Sequence, residues 1–114
     1  MVQDILDDLP PEFSARMANV EVVVEDEPPP ALVRALGMDP RRDTLFGLYE
    51  GVPLTERGAT HANALPDKIS IFYRPIVREA RRPARIREQV RITLLHEIAH
   101  FFGMDEDTID TLGY

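Results

Sequence analysis

Apolar residues recur at helical spacing in two rows along the C-terminal third of the chain. Ile86, Val90, Leu94, Ile98 and Phe101 form one row, and Ile92, Leu95, Ala99 and Phe102 the other. Pro83 stands where a first-turn proline is tolerated and Gly103 where a C-terminal cap is wanted, so the pattern predicts a helix over Ala84–Phe102. Apolar on so much of its circumference, that helix is expected to be deeply buried. Residues 3–17 are also helix-compatible, with Ile5, Leu6, Leu9 and Phe13 on one broad face, but Pro10-Pro11 predicts a break or a fresh start there.

Strands are expected where β-branched residues cluster or alternate. Val20 to Glu25 is one such segment, ended by Pro28-Pro29-Pro30, after which Ala31 to Leu36 reads as a short helix stopped by Gly37. Leu45 to Tyr49 is a second strand. Lys68 to Tyr73 alternates Ile69, Ile71 and Tyr73 against Ser70 and Phe72, as a half-buried strand would. Between them, Gly51, Pro53, Gly58 and Pro66 punctuate a connection longer than most loops, which predicts a functional, mobile or partly structured segment. Asp107 to Leu112 reads as a last short helix.

At 114 residues, 44% hydrophobic and 29% charged, the composition suits one globular domain spanning residues 1–114. The net charge of -7 is unevenly placed: residues 1–30 hold eight acidic groups against Arg16 alone, and the remainder balances. That balance offers no global attraction for nucleic acid. The chain has no cysteine, which removes disulfides, thiolate metal sites and a cysteine nucleophile. No signal-peptide pattern and no membrane-spanning run is visible, so a cytoplasmic location with no membrane association is expected.

Within the long helix the apolar rows are interrupted by His96-Glu97-Ile98-Ala99-His100, an H-E-x-x-H sequence. Residues four apart on a helix lie about 40° apart around it and about 6 Å along it, so both imidazoles can meet one ion. Two histidines, one carboxylate and an open fourth position make a catalytic zinc site. Zinc lowers the pKa of bound water towards about 7, and Glu97 is placed to take the proton and later deliver it to a leaving amine. An unpaired glutamate among buried apolar rows would be costly, which favours a working role over coincidence.

The third ligand needs a turn away from the helix, and Gly103 permits one. The chain then runs Met104-Asp105-Glu106-Asp107. The extended pattern counted from His96 puts Glu106 at the ligand position, with Asp105 and Asp107 as close competitors. These acids could equally cap the last helix, and one could be ligand while another is cap. Met104 is expected to pack in the core.

His96 through Glu106, together with Gly47-Leu48-Tyr49-Glu50-Gly51-Val52-Pro53-Leu54-Thr55-Glu56-Arg57 and Leu65-Pro66-Asp67-Lys68-Ile69, resembles the short bacterial "possible zinc metallopeptidase" family, or minimal zincins. The resemblance covers about residues 40–110. It implies an α+β, minimal zincin-like fold, with a small mixed sheet packed against the active-site helix. It further implies one zinc ion per chain on His96, His100 and Glu106, with Glu97 as catalytic base and a peptide or protein as substrate. The family's third ligand is usually aspartate; glutamate stands here. Only eight residues follow Glu106, and the methionine turn and aromatic oxyanion helper of larger metzincins do not fit there. That motivates an alternative in which the chain is a zinc-stabilised peptide-binding or regulatory module with little or no catalysis.

Three further features carry expectations. Lys68 to Tyr73 is a candidate edge for an extended peptide, or else a plain core strand. Tyr73, Tyr114 and His61 are candidates for stabilising an oxyanion, or else surface and packing residues. The run Arg74, Arg78, Arg81, Arg82, Arg85, Arg87 and Arg91 reads as a solvated face that balances the acidic N-terminal segment, or else as a site for an acidic substrate or partner.

Overall fold

Prolines cut the N-terminal half into short pieces. In the computed structural model, which describes residues 1–53 and 67–114, helix α1 spans Val2–Asp7 and α2 spans Pro11–Arg16. Pro10 and Pro11 separate them, with Pro11 seated in the first turn of α2, where the missing N–H costs nothing. Strand β1 follows over Val20–Glu25 and helix α3 over Pro30–Ala35. Gly37, at φ 78°, ends α3: its N–H bonds the Arg34 carbonyl, and the Met38 N–H bonds that of Val33. This paired closure uses the left-handed conformation that glycine adopts without penalty.

Strand β2 spans Gly47–Glu50 and β3 spans Asp67–Phe72. The sheet order is β1-β3-β2, with β1 parallel and β2 antiparallel to β3. The small mixed sheet is therefore as expected, but the character of Lys68–Tyr73 is not. Ser70 and Phe72 are as fully buried as Ile69 and Ile71, so this strand is covered on both faces instead of half-buried. It is the central strand, paired on both sides, and has no edge to offer a peptide. Tyr73 does not continue it; it opens helix α4, Tyr73–Ala80, which the alternation pattern concealed.

Helix α5 spans Pro83–Phe101, and α6 spans Glu106–Thr111. A tight turn at Arg81 joins α4 to α5, with Arg81 at φ 65° and ψ -48° and the Arg82 N–H bonded to the Ala80 carbonyl. One side of α5 packs into the sheet. Ile86, Val90, Leu94 and Ile98 meet Ile69 and Ile71 of β3, Ile76 of α4 and Ile5 of α1. Burying each such side chain is worth about 1.5–3 kcal/mol, so this seam is the main anchor of α5. The second apolar row is less covered: Ile92, Leu95 and Phe102 are half-buried, and only Ala99 is fully enclosed.

The acidic N-terminal segment does meet the arginine run. Arg78 pairs with Glu27 and Arg87 with Asp4, while Arg91 pairs with Glu88 on its own helix. These are exposed pairs of the kind that contribute little individually. No helix among the described residues is long and apolar enough to cross a membrane.

Candidate metal centre

Two consecutive helix-ending turns build the site. At the end of α5, Gly103 sits at φ 86°; its N–H bonds the His100 carbonyl, and the Met104 N–H bonds the Ala99 carbonyl. The chain reverses there and α6 starts at Glu106. Asp105 is the cap: its Oδ1 accepts the Thr108 N–H at 2.8 Å, and that bond holds its carboxyl below the usual carboxylate range. Glu106, one residue on, faces the histidines. The acids left open by the sequence thus divide into a cap and a residue that faces the two histidines. Asp107 is exposed, and its carbonyl accepts the Thr111 hydroxyl.

The three converging groups lie within one ion's reach. Nε2 of His96 and Nε2 of His100 are 3.2 Å apart, and the Glu106 oxygens stand 3.4 Å from the first and 2.8 Å from the second. Ligands held tetrahedrally at about 2.0–2.1 Å from zinc stand about 3.3 Å apart, so the spacing suits that ion. The hydrogen-bond inventory agrees. Nδ1 of His96 lies 3.0 Å from the main-chain oxygen of Tyr114, an acceptor, so Nδ1 carries the proton. In the neutral ring Nε2 is then bare, and it faces a carboxylate oxygen. A cation between them would satisfy both groups.

Glu97 is directed differently. It is only 8% exposed, and its Oε1 accepts the main-chain N–H of Tyr49 on β2 at 2.9 Å. Burial pushes its carboxyl above the usual range, opposed by the two imidazoles and the Tyr49 N–H. Strand β2 comes this close because Gly47 has no side chain. A Cβ there would stand 2.7 Å from Cγ2 of Thr93 and 3.0 Å from the Ser70 carbonyl oxygen. The aromatic ring of Tyr49 meets that of Phe101 edge-on at 5.9 Å and pins the strand to the helix.

Glu97 stands between two hollows. One, of about 380 Å³, lies on the His100 side and is lined by Leu48, Tyr49, Pro53 and Met104. The other, of about 260 Å³, lies on the His96 side and is lined by Phe46, Gly47, Gln89, Thr93 and Tyr114. Met104 is therefore a half-buried wall of the site, not a core residue as expected. Of the oxyanion candidates, Tyr114 is brought to the centre. Tyr73 lies at the head of α4 and lines neither hollow, and His61 lies outside the described residues.

The family model for zincin-like metallopeptidases matches residues 17–114. The chain belongs to that family. The match covers every residue of the centre just described, and zinc is the metal that the family implies. No curated protein matches the chain closely enough to stand as a relative. Sequence reasoning singled out the two histidines and the Glu106 carboxylate that the structure brings together, and the buried Glu97 beside them. It missed the main-chain oxygen of Tyr114 and the N–H of Tyr49, because main-chain groups carry no signal in residue identity.

Proposed function

We propose that this chain is a zinc-dependent peptidase in which His96, His100 and Glu106 hold one zinc ion and Glu97 is the general base. The observation that carries the proposal is the convergence of two imidazole nitrogens and a carboxylate within 3.4 Å of one another, beside a buried carboxylate that is not part of the cluster. When bound, zinc would supply a water acidic enough to lose its proton near neutral pH and would polarise a carbonyl oxygen. Glu97 would accept that proton at a carboxylate oxygen and hand it to the departing amine. Its burial favours this exchange, since a carboxyl raised above its usual range holds a proton more readily.

A peptide substrate fits the outer edge of β2. The Phe72 N–H bonds the Phe46 carbonyl, which sets the antiparallel alternation: residues 46, 48 and 50 address β3, and the N–H and carbonyl of Gly47 turn outward. An extended chain added there would pass Glu97 with side chains reaching the two hollows.

Metal analysis and a peptide-library assay of wild type and Glu97→Gln test the reading. About one zinc per chain in both, with turnover only in wild type, is the expected result. Zinc bound with peptide affinity but no turnover in wild type would favour the non-catalytic peptide-binding module. No zinc after reconstitution would overturn the metal reading.

A further inference from the structure

Nδ1 of His96 faces the far end of the neighbouring helix. After Thr111, helix α6 closes as α5 does. Gly113 sits at φ 88°, its N–H bonds the Asp110 carbonyl, and the Tyr114 N–H bonds the Ile109 carbonyl. Ile109 is fully buried, so this turn is tied to the core. It directs the main-chain oxygen of Tyr114 back to within 3.0 Å of Nδ1 of His96.

We infer that the Gly113-Tyr114 turn is a positioning device: the main-chain oxygen of Tyr114 fixes His96 in the Nδ1–H tautomer and aims a bare Nε2 at the candidate metal centre. Free neutral imidazole in histidine favours the opposite tautomer, so an acceptor at Nδ1 is needed to hold this one. Partners of this kind raise ligand basicity and fix ring orientation. Gly113 is the necessary residue. A Cβ there would meet nothing within 4 Å, so a substitution acts only through the backbone, which a β-branched residue would drive out of the left-handed region. The tyrosine side chain is not needed for this role, because the acceptor is main chain.

The inference rests on the metal reading above for its consequence, but its first readout does not. Long-range proton–nitrogen NMR of the metal-free protein reports which nitrogen of His96 carries the proton. Zinc affinity is then measured by chelator competition. Wild type, Tyr114→Ala and Gly113→Asn, since asparagine tolerates the left-handed conformation, are expected to show the Nδ1–H form and equal zinc affinity. Gly113→Val and a chain lacking Gly113 and Tyr114 are expected to shift towards the Nε2–H form and to bind zinc roughly 10–100-fold more weakly. An unchanged tautomer in those two variants would overturn the inference, even if zinc binding fell. So would loss of the Nδ1–H form in Tyr114→Ala. If wild type binds no zinc, the metal reading fails while the tautomer comparison still decides this one.

Discussion

The main-chain N–H of Tyr49 and the carboxylate of Glu97 are joined across the boundary between the edge strand β2 and helix α5, at 2.9 Å. The bond does two things at once. It gives a buried carboxylate one partner, which lowers the cost of enclosing it. It also sets the distance between helix α5 and the strand edge where a peptide would lie. The residue proposed to move protons is thus held by the element proposed to hold the substrate.

Glu97→Gln should separate chemistry from stability. The amide oxygen can still accept the Tyr49 N–H, so the fold and zinc binding should persist while hydrolysis is lost. In metal-free protein the variant should also be more stable than wild type at neutral pH. Burial raises the folded-state pKa of Glu97 above its unfolded value. The stabilising part of its titration is therefore complete below the unfolded pKa and fades as pH rises through the folded one. Urea midpoints of both proteins from acid to neutral pH should diverge in that direction; parallel curves would show that Glu97 is not desolvated.

Glu106 and Asp105 are adjacent but should respond differently. Glu106→Ala removes a metal-facing carboxylate and should abolish or severely weaken zinc binding. Asp105→Ala removes the cap on Thr108 and should leave zinc stoichiometry intact while lowering thermal stability. Because the cap holds the Asp105 carboxyl below its usual range, its benefit is present above the unfolded pKa and is lost as pH falls through the folded one. Zinc loss in Asp105→Ala with retention in Glu106→Ala would reverse the assignment.

The sequence carried the site further than the fold around it. His96, Glu97, His100 and Glu106 are identities at fixed spacings, and helix geometry with one glycine turn brings His96, His100 and Glu106 together with Glu97 beside them. The N-terminal break at Pro10-Pro11 and the strand Val20–Glu25 were legible for similar local reasons. Strand β3 was misjudged because alternation reports a half-buried strand only when one face meets water, and here Ser70 and Phe72 are enclosed as well. Helix α4 was hidden because Tyr73 continued that alternation, so the strand was read through the residue that opens the helix. Which strand forms the edge beside the site depends on sheet order, which no local pattern encodes.

Arg81 occupies backbone space that suits glycine. Its φ of 65° with ψ of -48° makes a three-residue turn between α4 and α5, a strained conformation for a side-chain-bearing residue. Arg81→Gly should relieve that strain and stabilise the protein by about 1 kcal/mol, after allowance for the extra freedom of glycine when unfolded. Urea denaturation at equal ionic strength measures it, with Arg82→Gly as the control for loss of charge. A destabilised Arg81→Gly would mean that the arginine side chain contributes more than its backbone costs.

Gly47 tests how closely the edge strand must approach the helix. An added Cβ would lie 2.7 Å from Cγ2 of Thr93, 3.0 Å from the Ser70 carbonyl oxygen and 3.4 Å from Cγ of Glu97. The first is closer than atoms tolerate and the second is tight, and neither neighbour yields easily: Thr93 is buried and the Ser70 oxygen is main chain. Gly47→Ala should therefore force β2 away from α5, cost about 1–3 kcal/mol of stability, and lengthen the Tyr49–Glu97 bond. Thr93→Ala removes the nearer obstacle. In that background Gly47→Ala should cost measurably less, though not nothing, because the Ser70 oxygen remains. A double-mutant cycle on urea midpoints gives the coupling, expected at about 0.5 kcal/mol or more for residues in such contact. Strictly additive effects would mean that strand and helix do not meet at this point, and that Glu97 owes its position to something other than the approach of β2.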